Sequence, residues 1–372
     1  MRPEILERLR AGMPAHGFDA LVTFSPENFA YVAGFVVPSQ SLMRWRHAMC
    51  LIGVTGKPAM VVVDMEESTV RAKAQEVDVV AWGEFTDRPM SILAGLLRER
   101  GLAESRIGVE LDYLPAGAHA ELARALPRAQ LLGADEYLAR QRQLKTPAEL
   151  EQLRRLSRIA DATIAAALHG VRAGNSEMDI AGALTRGIFE RGADSFKLLI
   201  VATGERSVFP NVGPSERLLK EGDICRVEIF SVINGYHAGV CRTARVGKAP
   251  AHAQEIWRKL VECKYLVLDL IKPGASSKAI YEAFIKRLSV LKLPPIKFVG
   301  HGIGLHLHEK PYLGPHSDVP LEVGMVLGIE PLVYNTGYGF GMQNKDMVAV
   351  MPHGAEILSD VTNTDELLVV GQ

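Results

Sequence analysis

The sequence predicts an α/β N-terminal domain followed by an α+β C-terminal domain. Short β-rich runs alternate with helical patterns over the first third of the chain, which is typical of an α/β domain. Beyond Leu198, strand patterns dominate and only two helical stretches interrupt them. Between these regions Thr146-Pro147-Ala148-Glu149 combines a capping box with proline at the first helical position, which indicates a helix start. We therefore place the domains at residues 1–145 and 146–372.

Composition restricts the class of protein. Of the 372 residues, 48% are hydrophobic and 23% charged, which is ordinary for a globular chain large enough for two cores. The net charge of -1 argues against nucleic-acid or membrane partners and favours a small-molecule substrate. No apolar run approaches the roughly 20 residues that span a bilayer, and the N-terminus lacks a secretory pattern. The four cysteines lack C-x-x-C spacing, so reduced thiols and a cytoplasmic location are expected.

In the first domain, residues 19–24 predict a strand that Ser25-Pro26 ends, and a hairpin follows around Gly56-Lys57-Pro58. Helical patterns cover residues 64–74, 89–100 and 116–125. In the second domain, apolar residues at helical spacing predict a long helix that begins at Pro147 and ends at Gly170, with another opening at Asn175 or Ser176. The later predicted strands are 198–203, 224–232, 236–246, 325–329 and 347–350, and the later helices are 251–271 and 276–291.

Three segments of the second domain contain candidate catalytic residues. The run from Gly300 to Pro311 surrounds His301 with glycines and contains His306 and His308, which would share one face of an extended segment. Glu330 lies at the end of an apolar strand. Glu228 lies inside a second apolar strand, which an Asn-Gly turn joins to the next strand in a hairpin. The first segment has a plainer interpretation as a Gly-rich turn whose histidines form ordinary hydrogen bonds. Glu330 could likewise be an exposed residue at the end of a strand.

Taken together and in this order, the three segments resemble the pita-bread family that includes prolidase, aminopeptidase P, methionine aminopeptidase, creatinase and ectoine hydrolase. The first domain resembles the creatinase N-terminal domain through residues 18–22 and 25–35. The resemblance covers both domains and implies a creatinase-type α/β domain followed by an α+β pita-bread domain.

The resemblance also implies a metal site. The metallopeptidases of this family hold two metal ions with two aspartates, one histidine and two glutamates. His301 and Glu330 match two of these ligands, but Glu228 and Gly239 stand at the aspartate positions and Lys345 at the final glutamate. An ammonium in the ligand shell repels a cation, so we predict no metal cofactor, with Lys345 paired to the two glutamates. The alternative is a single ion on Glu228, His301 and Glu330.

Because it lacks metal ligands, this chain resembles creatinase, which works without metal. Creatinase binds the carboxylate of its substrate with an arginine from the partner subunit, and Arg46 stands at the position of that arginine. Asn211 stands at creatinase's catalytic histidine, which argues against creatine hydrolysis itself. We hypothesise metal-independent hydrolysis of a C–N bond in a small carboxylated amide, amidine or guanidino substrate by a homodimer. The predicted catalytic residues are Glu228, His301, His308, Glu330 and Lys345. The predicted substrate-binding residues are Arg46, Asn211, His306 and Asp346.

Within these roles, Glu228 or Glu330 would activate water or attack directly, Lys345 would stabilise negative charge, and His301 or His308 would protonate the leaving nitrogen. Three alternatives stay open. One is a metal-dependent Xaa-Pro dipeptidase or aminopeptidase P-like peptidase, the second is a lyase on the same scaffold, and the third is a non-enzymatic binding module.

Overall fold

The computed structural model describes all residues from Met1 to Gln372 and divides them into two compact units, Met1–Arg142 and Gln143–Gln372. The division falls three residues before the boundary predicted at Lys145. None of the helices combines the length and apolarity that crossing a bilayer demands.

Unit 1 is an α/β domain built on one six-stranded sheet of order β4-β3-β2-β1-β5-β6. Its strands are β1 (Ala20–Thr23), β2 (Met49–Gly53), β3 (Ala59–Val63), β4 (Asp78–Trp82), β5 (Arg106–Val109) and β6 (Gln130–Gly133). Its helices are α1 (Pro3–Gly12), α2 (Pro26–Ala33), α3 (Pro38–Leu42), α4 (Glu67–Lys73), α5 (Pro89–Glu99), α6 (Ala116–Ala125) and α7 (Asp135–Gln143). The predicted hairpin is β2–β3, which pair antiparallel.

Seven elements of unit 1 were absent from the predicted set, namely strands β4, β5 and β6 and helices α1, α2, α3 and α7. Strands β4, β5 and β6 are short and partly polar, so they lack a clear alternation of apolar and polar residues. Helix α2 begins directly after β1 because the hydroxyl of Ser25 accepts a hydrogen bond from the N–H of Asn28. The buried carboxylate of Glu110 accepts from the N–H groups of Phe24 and Ser25 and from the Asn28 side chain, which fixes this strand-to-helix turn.

Unit 2 contains four helices and eleven strands, and every helix and strand predicted for this domain is present. The helices are α8 (Pro147–His169), α9 (Glu177–Glu190), α10 (Ala253–Leu270) and α11 (Ser277–Val290). The strands are β7 (Ser195–Thr203), β8 (Ile224–Ile233), β9 (Tyr236–Arg245), β10 (Gly300–Gly302), β11 (Glu309–Leu313), β12 (Val326–Ile329), β13 (Leu332–Val333), β14 (Met342–Gln343), β15 (Asp346–Met351), β16 (Gly354–Ile357) and β17 (Leu368–Val369).

Two sheets of unit 2 meet at the residues predicted to carry chemistry. A four-stranded sheet has the order β17-β9-β8-β7, and a five-stranded sheet has the order β11-β10-β12-β15-β16. An isolated bridge joins them, since Cys241 and Lys345 exchange both backbone hydrogen bonds, at 3.3 and 3.2 Å. Cys241 pairs with Glu228 on the neighbouring strand, so this bridge brings Lys345 beside Glu228. The α+β architecture predicted for the second domain is confirmed.

Candidate active site

The β8–β9 hairpin presents one row of side chains to the site. Asn234 and Gly235 form its turn with positive φ angles of 48° and 83°, which the Asn-Gly pair tolerates. Because side chains alternate along a strand, Arg226, Glu228 and Phe230 of β8 lie on one face.

A buried cluster unites four of the predicted catalytic residues. The ammonium Nζ of Lys345 lies 3.0 Å from Glu228 Oε1 and 3.3 Å from Glu330 Oε2. His301 Nε2 lies 3.2 Å from Glu330 Oε1. The exposed fractions are 4% for Glu228, 4% for Glu330, 2% for Lys345 and 0% for His301. The pairing of Lys345 with both glutamates is therefore present, and water has almost no access to these ion pairs.

Mutual attraction keeps Glu330 and Lys345 ionised despite burial. Burial raises the pKa of the Glu330 carboxyl, but the Lys345 ammonium and then His301 outweigh it, leaving the pKa well below its ordinary value. Burial lowers the pKa of Lys345, and the carboxylates of Glu228 and Glu330 outweigh that effect and raise it. Lys345 is thus a fixed positive charge between two carboxylates.

His308 connects this cluster with solvent. Its ring stacks on His301 with the ring centroids 3.7 Å apart and the planes 12° apart. Partial burial, followed by the charges of His301 and Lys345, lowers the pKa of His308 to about 4, so the imidazole is neutral at pH 7. His308 is exposed and also lines a cavity of about 720 Å³. A neutral histidine beside an open cavity can both donate and accept a hydrogen bond.

Two residues that the sequence analysis missed extend the cluster. The side chain of Gln343 donates to Glu330 Oε2 at 2.9 Å and accepts from Arg226 Nη1 at 3.1 Å. Arg226 is fully buried, and its Nη2 also donates to the carbonyls of Phe209 and Pro210. The sequence did contain a sign of Arg226, because it lies two residues before Glu228 and side chains at that spacing share one face of a strand.

Two predicted substrate-binding residues lie away from the cluster. Asp346 follows Lys345 and points to the other face of β15, where it pairs with Arg242 at 2.9 Å and Lys264 at 3.3 Å. His306 is half-buried in a bend, and its N–H donates to Glu309 Oε1 at 3.2 Å. Residues 304–308 form bends, so the predicted extended segment does not exist and His306 and His308 are not paired on one face.

Of the other two predicted substrate-binding residues, Asn211 lies on an exposed loop and Arg46 lies in unit 1. Asn211 is exposed and follows the Phe209 and Pro210 carbonyls that accept from Arg226. Arg46 belongs to unit 1, where Glu84 binds its guanidinium with two hydrogen bonds of 2.7 Å. The Glu84 carboxylate raises the pKa of Arg46. A substrate role for either residue stays a prediction.

Comparison with protein-family models identifies both domains. Residues 5–144 match the Creatinase/Prolidase N-terminal domain, and residues 151–352 match Metallopeptidase family M24. The second match covers more than half of the chain. The protein therefore belongs to metallopeptidase family M24, and the resemblance to the creatinase and prolidase family is confirmed.

Individual relatives align with both domains. The probable dipeptidase PepE of Mycobacterium tuberculosis is 28% identical over 342 residues, covering 90% of this chain and 89% of its own. Among solved structures, an Xaa-Pro dipeptidase from Bacillus anthracis has a TM-score of 0.86 at 25% identity, covering 98% of this chain and 99% of its own. The dipeptidase PepE of Mycobacterium ulcerans has a TM-score of 0.84 at 26% identity, covering 99% of this chain and 97% of its own.

These comparisons overturn the leading functional hypothesis. These relatives are named as dipeptidases, so the prediction of a metal-independent, creatinase-like hydrolase is wrong, and the findings favour the peptidase alternative. The prediction that no cofactor takes part is wrong on the same finding, because the matching family is one of metallopeptidases. Missing metal ligands therefore do not by themselves identify the metal-free branch of this family. The broader prediction of a hydrolase is confirmed.

The residues at the ligand positions nevertheless do not fit the family's two-metal site. The Lys345 ammonium occupies the space between Glu228 and Glu330, where it repels a cation. At Gly239 a Cβ atom would overlap the ring of Phe230, so no carboxylate can project there without moving that ring. No three histidine, cysteine, aspartate or glutamate side chains converge as a ligand group. A single ion on the remaining three donors would have to displace the Lys345 ammonium.

Proposed function

We propose that the protein is a peptidase that cleaves short peptides, in the manner of the Xaa-Pro dipeptidases it resembles. The observation that carries this proposal is the position of His308, which stacks on His301 of the buried cluster and also lines the cavity. A peptide in the cavity would thus lie beside the charged cluster. Similarity to dipeptidases over both domains supports the same activity.

Three side chains have roles that follow from their environment. The neutral His308 imidazole can accept a proton from the water that attacks the peptide carbonyl and then give that proton to the leaving nitrogen. The Lys345 ammonium is held in place by Glu228 and Glu330, so it fixes the positive charge of the buried cluster behind His301 and His308. His301 orients His308 through the ring stack.

The test is a hydrolysis assay with Ala-Pro, Leu-Pro and Ala-Leu, each with added Mn²⁺, added Co²⁺ or a chelator. We expect Xaa-Pro cleavage, and we expect His308→Gln to lower kcat/KM by about 100-fold, as for loss of a general acid or base. His353→Gln is the matched control, because His353 lies exposed in a turn outside the cluster. Failure to cleave any peptide under all three conditions contradicts the proposal and favours a non-enzymatic binding module.

We also propose that the protein is a homodimer. Around the Arg46–Glu84 pair, large apolar side chains are strongly exposed: Leu42 by 80%, Trp45 by 64% and Phe85 by 93%. Large apolar side chains that are this exposed favour burial against another protein. Sedimentation of wild type and Phe85→Glu tests this, with Leu111→Glu as a control on another exposed apolar residue of unit 1. A monomeric wild type contradicts the proposal.

The four cysteines, all buried and unpaired, support a reducing compartment, and we propose the cytoplasm. The pKa of Cys50 is raised to about 12 by burial, so this thiol is protonated and unreactive. Fractionation of cells that express the tagged protein would check the location.

A further inference from the structure

A buried cation lies beside the cluster of Glu228, His301, Glu330 and Lys345 without donating a hydrogen bond to any carboxylate. The guanidinium of Arg226 is fully buried, and its Nε has no hydrogen-bond partner. The other nitrogens donate to neutral oxygens only, Gln343 Oε1 at 3.1 Å and the backbone carbonyls of residues 209 and 210. Neutral acceptors offset only part of the cost of burying a charge, so fold stability alone does not explain this arginine.

The guanidinium of Arg226 joins three separate segments of unit 2. Phe209 and Pro210 follow the short 3-10 helix Gly204–Val208, and Gln343 ends β14. Tyr334 follows β13, and its ring centroid lies 5.1 Å from the guanidinium carbon. A planar fork of donors can bind acceptors in several fixed directions at once, which a lysine ammonium cannot do. Arg226 therefore fixes these segments relative to one another.

One of these contacts sets the orientation of the Gln343 amide. Because its oxygen accepts from Arg226, its nitrogen faces Glu330 and donates to Oε2 at 2.9 Å. The reversed amide would place an oxygen against the carboxylate and a nitrogen against the guanidinium, and neither pair could form a hydrogen bond. Arg226 thus acts on Glu330 through Gln343.

Glu330 carries this restraint to the two histidines. Its Oε1 lies 3.2 Å from His301 Nε2, and the His301 ring stacks on His308. His308 is the residue that transfers the proton in the proposed reaction. A displaced Glu330 carboxylate would therefore turn His301 and move His308 away from the peptide, which would slow the chemical step.

The remaining contacts of Arg226 hold a loop. At one end of residues 209–213, Arg226 Nη2 donates to the carbonyls of residues 209 and 210. At the other end, Arg206 Nη2 donates to the carbonyl of Gly213 at 2.7 Å. The loop is therefore held at both ends by arginine side chains, and Arg226 also ties it to the buried cluster.

We infer that Arg226 is a positioning residue of the proposed peptidase, which turns the Gln343 amide toward Glu330 and holds the loop of residues 209–213. Because the guanidinium is fully buried, it acts through these groups and does not contact the peptide. This inference rests on the proposed peptidase function and adds a residue to its machinery.

Kinetics with Ala-Pro test the path through Gln343. Gln343→Glu retains an acceptor for Arg226 but has no donor for Glu330, so kcat should fall by about tenfold while KM changes by less than about twofold. Arg226→Met should lower kcat at least as much, and Arg226→Lys should not restore it, because an ammonium lacks the planar fork.

A double-mutant cycle of Arg226→Met and Gln343→Met tests whether the two residues act as one unit. The double variant should have a kcat no lower than that of Arg226→Met, since both substitutions break the same path to Glu330. Losses that multiply in the double variant overturn the inference.

Hydrogen exchange followed by mass spectrometry tests the loop without any substrate. Arg226→Met should accelerate exchange of the amides in residues 209–213 by about tenfold, whereas Gln343→Glu should not, because Arg226 keeps its partners. Arg186→Met is the matched control, because Arg186 lies exposed on α9 of the same unit. No acceleration in Arg226→Met, or a uniform acceleration over the whole chain, overturns the inference.

The two measurements separate this inference from the proposed function. If wild type cleaves no peptide and only Arg226→Met accelerates exchange in the loop, the peptidase proposal fails and the positioning of the loop by Arg226 is supported. If peptides are cleaved and the Arg226 and Gln343 variants keep the kcat of wild type, the inference is overturned and the peptidase proposal stands.

Discussion

Lys345 Nζ lies 3.0 Å from Glu228 Oε1, although 117 positions separate these residues in the chain. Antiparallel pairing of β8 with β9 and the bridge between Cys241 and Lys345 bring them together.

Replacing Lys345 by Met should destabilise the protein by about 3–5 kcal/mol, because two buried carboxylates lose their shared cation. Urea denaturation of both proteins gives this difference in the free energy of unfolding. Lys286→Met, at an exposed position, should change it by less than about 0.5 kcal/mol. An unchanged denaturation midpoint for Lys345→Met would show that the ion pairs do not stabilise the fold.

Lys345→Glu should increase affinity for Mn²⁺ by about tenfold or more, because it removes a repelling ammonium and adds an oxygen ligand. Lys345→Gln isolates the loss of charge and should give a smaller gain. Titration calorimetry with Mn²⁺ on wild type, Lys345→Gln and Lys345→Glu gives the order of their affinities. Wild type that binds Mn²⁺ as tightly as Lys345→Glu would refute the conclusion that the ammonium opposes a cation at this site.

Gly239→Ala should cost about 1–3 kcal/mol of stability, since the new methyl group overlaps the Phe230 ring. In a Phe230→Leu background the same substitution should cost less, because the smaller side chain leaves room. A double-mutant cycle measured by thermal unfolding gives this coupling. Strictly additive effects would mean that Phe230 does not occupy the space at Gly239.

Asp346→Asn should cost about 3 kcal/mol at pH 7, because Arg242 and Lys264 lose a buried partner. Burial raises the pKa of Asp346, but these two cations outweigh it and leave the pKa lowered. A lowered folded-state pKa means that the stabilisation is present above the unfolded value of about 3.9 and disappears as pH falls toward the folded value. The difference between wild type and variant should therefore shrink below about pH 4. A difference that is constant across that range would contradict the ion-pair explanation.

The amino-acid sequence alone determined the family, the α/β and α+β domains, and most elements with strong periodicity, because these depend on local pattern. The long helix α8 is an example, since its capping box and apolar spacing are contiguous. The identities of Glu228, His301, Glu330 and Lys345 also came from short motifs.

Only the tertiary structure decided which of these residues meet and which charges face the cavity. Sequence proximity was misleading for Asp346, because alternation on β15 directs it away from its neighbour Lys345. Conversely, Arg226 and Gln343 carried no recognised motif, yet strand pairing joins them to Glu330 through hydrogen bonds. The same alternation in β11 exposes Lys310 and buries Glu309 against Lys145. Strand register and long-range packing fix such contacts, and neither is encoded in the spacing of a few residues.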